Sequence, residues 1–171
     1  MSWIQYDNIS TDNKRQIMSR SIPEPQPYPD WVNVKLTPTN QDPGVNGRPE
    51  EELYWDYAAS MLRVYTNQEI LDFYKTFKLK KIQEMALQVI RLYEYEIDFY
   101  RDKKELGQTY NQVNYNSAMT KRVNVKKWVH DRRLEIEAVV LSGTAKSEVD
   151  AIFDLVVEKY EKRLDDLGLI I

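Results

Sequence analysis

Between Leu79 and Leu106 the apolar side chains recur with a helical period. At about 100° per residue, Leu79, Ile82, Met85, Ala86, Val89, Ile90, Leu92, Tyr93, Ile97, Phe99 and Tyr100 fill half the circumference or more. A surface helix needs a narrower stripe, so this spacing predicts a helix with packing partners on two sides. Lys103 and Lys104, followed by Gly107, supply its stop. Val149, Phe153, Val156, Tyr160, Leu164 and Leu167 step by three and four and predict a final helix, closed by Gly168 and followed by the apolar tail Leu169-Ile170-Ile171. Residues 118–141 read two ways. As a helix, Val125, Trp128, Val129, Ile136, Val139 and Val140 share a face; as a hairpin, Val123/Val125 and Leu134/Ile136 alternate about His130-Asp131-Arg132-Arg133. Helix is the preferred reading, because the segment has no glycine, proline or hairpin turn signal.

Upstream, Thr66-Asn67-Gln68-Glu69 fits a capping box and marks a helix start. Pro49 followed by three glutamates reads as another, with Leu53, Tyr57 and Met61 recurring every four residues behind it. All seven prolines lie at or before Pro49. The alternating run Pro23-Glu24-Pro25-Gln26-Pro27-Tyr28-Pro29 is incompatible with helix and reads as polyproline-like. Val32, Val34 and Leu36 then alternate as in a strand, Asp42-Pro43-Gly44 and Asn46-Gly47 are turns, and a helical turn fits near Asn13–Met18. The expected architecture is mainly α: an extended proline-rich arm over residues 1–49, and a bundle of four to five helices over residues 50–171. Little strand is expected outside residues 31–36.

Composition narrows the chemistry. The 171-residue chain has no cysteine and one histidine, which removes disulfides, thiol nucleophiles and the usual zinc sites. Lys126 and Lys127 occupy the positions four and three before His130, where a helical metal site needs carboxylates. Glu94 and Asp98, and the row Asp150, Asp154 and Glu158, read as solvated helix faces. The five glycines are scattered at turns and helix ends, so no phosphate-cradling loop exists. No catalytic residue, cofactor or metal is therefore expected. The N-terminus has no signal-peptide pattern and no stretch is apolar enough to span a membrane, so the expected location is a virion or the cytoplasm.

Two surfaces remain as candidates for contact. The arm carries Trp3, Ile4, Tyr28, Trp31, Val32 and Leu36, which need burial against the chain's own body or against another subunit. Residues 107–141 hold six bases against three acids, and Arg122, Lys126 and Arg133 cluster on one helical face beside Trp128. That stripe could lie on phosphates, but the net charge of −3 makes nucleic acid the less favoured partner. In its overall character the chain resembles the small virion and assembly proteins of tailed bacteriophages: no cysteine, an extended arm, an aromatic helical body and no active site. That resemblance implies a connector, neck, tail or baseplate component, or an assembly chaperone for one. The function expected is a non-enzymatic interaction protein whose partners are other protein subunits, copies of itself among them. A nucleic-acid-associated helical adaptor is the alternative.

Overall fold

The computed structural model describes residues 2–21 and 24–166. The chain divides into two compact units, Met1–Ile70 and Leu71–Ile171. The first is a β unit, which overturns the expected helical bundle with an extended arm. Its strands are β1 (Trp3–Asp7), β2 (Lys14–Ser21), β3 (Trp31–Lys35), β4 (Leu53–Asp56) and β5 (Met61–Val64). They form one five-stranded sheet in the order β3-β1-β2-β4-β5, with every neighbouring pair antiparallel.

Alternation explains which residues enter the core. In β1, Ile4 and Tyr6 face one way, opposite Val34 and Val32 of β3. The β1–β2 register shifts between Gln5 and Tyr6, and Ile17 then pairs with Tyr6. Across β4, Trp55 pairs with Arg15 on one side and Leu62 on the other, and Leu53 pairs with Val64. The Tyr6 and Trp55 rings stack with centroids 5.8 Å apart. Leu36 and Val45 close this core from the loop after β3. Val45 is wholly buried between Gly44 and Gly47, whose φ values of 99° and 80° form the tight turns that fold the loop back.

The expected helix after Pro49 is a single 3-10 turn, Glu50–Glu52, leading directly into β4. Leu53, Tyr57 and Met61 do not share a helix face, because residues 57–60 turn the chain between β4 and β5 and Ser60 takes a φ of 52°. Asn13 holds that turn from the β1–β2 connection. Its side-chain oxygen accepts from the Ala58 N–H at 2.7 Å, its amide donates to Asp56 at 3.0 Å, and its carbonyl accepts from the Tyr57 N–H at 2.9 Å. A helix-compatible segment is thus held as a hairpin by a residue more than forty positions earlier.

The proline segment is a strap on its own sheet. Gln5, on the face opposite Ile4, sits between Ser19 and Asn33 in the ladder. It donates to the Gln26 carbonyl at 2.7 Å and accepts from Ser19 Oγ at 2.7 Å, while Asn33 donates to the Pro25 carbonyl at 2.9 Å. Proline carbonyls have no regular partners in such a run, and a row of side-chain amides supplies them.

The second unit holds most of α1 (Asn67–Glu105), with α2 (Gln112–Ala138) and α3 (Ala145–Asp166). Helix α1 begins at the expected capping box: Thr66 Oγ1 accepts from the Glu69 N–H at 3.2 Å and Glu69 accepts from the Thr66 N–H at 2.9 Å. It ends at Gly107, φ 66°, where the Gln108 and Gly107 N–H groups return to the Lys103 and Lys104 carbonyls. Residues 118–138 are helical, as preferred. Asn111 caps α2, accepting from the Asn114 N–H at 3.1 Å. Leu71, Ile82, Ile136, Ala145, Val149 and Val156 form the core of this unit. The Lys75 ammonium donates to the carbonyls of Glu137 and Val139, satisfying the end of α2. The proposed stop at Gly168 and the tail Leu169–Ile171 lie outside the described residues. Among the described residues, three α-helices and five strands replace the four to five helices expected.

Candidate interaction surfaces

Helix α1 carries two apolar faces. Ile82, Ala86, Val89, Tyr93 and Ile97 are buried and fall within about 80° of one another on a helical projection. Phe77, Leu87, Tyr95, Phe99 and Leu106 occupy the opposite arc of about 120° and stand in water. Tyr95 is 75 % exposed, Leu106 71 % and Phe77 56 %. Single exposed apolar residues are ordinary, but five large ones recur along this one helix face, with Glu84, Arg91 and Asp102 interleaved among them. Two lysines lie against its rings: the Lys81 ammonium is 5.9 Å from the Phe77 ring centre and the Lys103 ammonium 4.5 Å from that of Phe99.

The expected arm contacts separate into two groups. Ile4 and Leu36 are buried in the sheet core, with Val32 packed against it, so these three are occupied by their own unit. Trp3 and Trp31 are partly buried, and Tyr28 is exposed, its ring 4.5 Å from that of Trp31. The Tyr28–Trp31 pair offers an aromatic surface at that end of the sheet.

The expected basic stripe is largely tied up. Arg122 lies 3.8 Å from Glu94, and Arg133 pairs with Glu137 at 2.8 Å. Lys126 is exposed and makes no ion pair among the described residues. Trp128 packs against the helical core. Beside it lies a cleft of about 120 Å³ between the three helices, where the Arg163 guanidinium stands 4.3 Å over the Tyr93 ring. The cleft is small for a metabolite, since ligand pockets run to about 300–1,000 Å³. An adjoining open groove of about 480 Å³ is rimmed by Lys121, Lys127 and Lys159, with Asp131 among them.

The acidic rows also have assignments. Glu94 meets Arg122, and Asp98 pairs with Arg101 at 2.7 Å. Asp150 is a helix-to-helix tie rather than a free solvated carboxylate. It accepts from the Tyr74 hydroxyl and from Lys78 at 2.8 Å, and hydrogen bonds from Lys78 and then Tyr74 hold its pKa below the usual carboxylate value. Burial, then the bond to Asp150, raises the Tyr74 hydroxyl. His130 is exposed on α2. Among the described residues, no three Asp, Glu or His side chains are grouped as a metal site would need, and no helix is long and apolar enough to cross a membrane.

Of the five outer residues, only Phe99 belongs to the apolar arc that the spacing marks between Leu79 and Leu106; Phe77 precedes that window, and Leu87, Tyr95 and Leu106 fall outside the arc. Comparison with protein-family models, with curated proteins and with solved structures gives no match to this chain.

Proposed function

We propose that this chain is a non-enzymatic interaction protein, a subunit of a larger assembly, that joins its neighbours through the outer face of α1. One observation carries the reading: five large apolar side chains lie in line on the helix face opposite the core, and none belongs to either hydrophobic core. Leaving such a face in water is unfavourable by roughly 25 cal/mol per Å² of apolar surface. Covering it is the simplest use for it. A phage virion or its assembly line is the setting that the overall character of the chain suggests. The nucleic-acid adaptor has less support, because two of its three expected cations already hold glutamates of the same unit.

Lysine-directed cross-linking of the protein in its native source, followed by mass spectrometry, tests this. Lys80 and Lys81 flank the apolar face and are exposed. The expected result is intermolecular cross-links from Lys80 or Lys81 to a protein chain. A chain that runs as a free monomer in its source, or one whose cross-links come only from Lys121, Lys126 and Lys127, overturns the proposal.

A further inference from the structure

We infer that the cleft between the three helices and the groove beside it form one docking site, which takes an acidic segment of another protein chain anchored by a single apolar side chain. The inference goes beyond the outer α1 face and does not depend on it, because the cleft is built from the inner, packed side of that helix.

Tyr93, Val125, Trp128 and Lys159 line both spaces, so cleft and groove are continuous. The floor of the cleft is apolar, with Val89 and Tyr93 from α1, Val125 and Trp128 from α2 and Val156 from α3. At about 120 Å³ the cleft suits one side chain better than a metabolite. A dry cavity of about 150 Å³ is enough to admit benzene. The groove is larger, about 480 Å³, and it follows α2 from Lys121 to Asp131. That stretch covers about 15 Å at 1.5 Å per residue, the span of about four or five residues of extended chain. One anchoring side chain fills the cleft, and the few residues beside it lie in the groove.

The rim is cationic, and its charges are uncommitted. Lys121, Lys127 and Lys159 border the groove and Lys162 and Arg163 the cleft, against Asp131 and Asp166. None of these five cations makes an ion pair among the described residues. Arg122, Arg132 and Arg133 of α2 differ, since each holds a glutamate of its own unit. Arg163 is the most constrained of the five. Its guanidinium stands 4.3 Å over the Tyr93 ring, and its Nε is buried with no acceptor. Arg122 and Arg132 bury an Nε as well, but their terminal nitrogens reach carboxylates. The donors of a guanidinium lie in its plane, so stacking on Tyr93 leaves that edge open to a carboxylate. A buried donor without an acceptor is unfavourable, and a carboxylate from outside satisfies it.

The same lysines could meet phosphates, but the cleft floor favours a side chain over a base. Three of its five floor residues are valines, and Asp131 and Asp166 stand at the rim, where a nucleic-acid backbone would bring a charge with every nucleotide. A peptide can place its carboxylates between those two acids. Its apolar anchor then supplies the affinity and its acids the direction of approach.

Selection from a random peptide library against the full chain tests this, followed by fluorescence anisotropy of the selected peptides. The expected consensus is one aromatic or branched aliphatic residue with aspartate or glutamate within about four positions of it. Arg163→Gln and Lys159→Gln should each weaken binding by about tenfold or more while keeping the parent's circular dichroism spectrum. Lys126→Gln, outside both cleft and groove, should stay within about twofold of the parent. Serine in place of the anchor should abolish binding. A selection that yields no peptide, or peptides without acids, overturns the inference. So does a selected peptide that binds Arg163→Gln and the parent alike, or one displaced by a single-stranded oligonucleotide, which would make nucleic acid the occupant. A peptide lost in Phe99→Glu but retained in Arg163→Gln has found the outer α1 face; that result overturns this inference and supports the proposed function.

Discussion

Lys14 on β2 donates to Glu69, the same carboxylate that closes the capping box with Thr66, so one acidic side chain serves both a strand and the first turn of α1. The Lys14 ammonium also sits 4.8 Å from the Tyr54 ring centre. The hydrogen bond from Lys14, and next that from the Thr66 backbone, bring the Glu69 pKa from 4.5 down to about 2. A folded-state value below the unfolded one means the stabilisation is present above pH 4.5 and is lost as pH falls towards 2.

Glu69→Gln should therefore melt below the parent at pH 7 and converge with it near pH 2. The gap at pH 7 should be about 1 kcal/mol and shrink with salt, because the pair is partly open to solvent. Thermal melts of both proteins across this pH range check it. A gap that does not close in acid would remove Glu69 ionisation as its source.

The strap makes a second prediction. Gln5 is 4 % exposed and connects the Gln26 carbonyl to the Ser19 hydroxyl. Gln5→Ala leaves both without that partner beneath the proline segment, at a cost of about 1–3 kcal/mol. Limited proteolysis should then cut within residues 24–30 faster than in the parent, ahead of any cut in the helices. Equal cutting rates would show that the segment is held by other means. Removing residues 1–48 altogether would take away three of the five strands and bare Leu53 and Trp55, so that truncation should cost the β unit its fold.

The third concerns the tie between α1 and α3. Tyr74→Phe removes one hydrogen bond to Asp150 and should cost about 1 kcal/mol. Asp150→Asn should cost more, about 1–3 kcal/mol, because it also weakens the partner of the Lys78 ammonium. Since the Asp150 pKa is lowered on folding, its contribution is present at neutral pH and fades as pH falls through the depressed value. A double-mutant cycle by denaturant titration checks the coupling; strict additivity would mean that the hydroxyl and carboxylate do not act together.

Much of the helical unit could be read directly from the sequence. A helix bonds each residue to one four positions away, so the Thr66–Glu69 box, the Gly107 stop and the three-and-four spacing of Val149, Phe153 and Val156 are all local signals for local structure. Helix α2 was recoverable for the same reason, since nothing in residues 118–138 breaks a helix. Which face the chain itself would bury, and which would stay in water, was decided only when α2 and α3 packed.

The β unit was hidden because strands pair across distance. Lys14–Ser21 has no hydrophobic alternation in its sequence: Ile17 enters the core and Arg15 is buried beside it, while Gln16 is exposed and Met18 falls at the register shift. Its pairing with β1 and β4 is what makes it a strand. Residues 53–64 match a helix by spacing, yet Trp55 finds Tyr6 and Asn13 holds the turn, contacts that no local pattern encodes. The prolines do break helices, but the row of Gln5, Ser19 and Asn33 was needed to lay them on a sheet instead of leaving them as a free arm. The sequence by itself determined the start of α1 at its capping box, its stop at Gly107 and the helical period of α2 and α3, because those energies are local. Tertiary structure decided the sheet and the exposed face of α1, because both depend on which distant side chains meet.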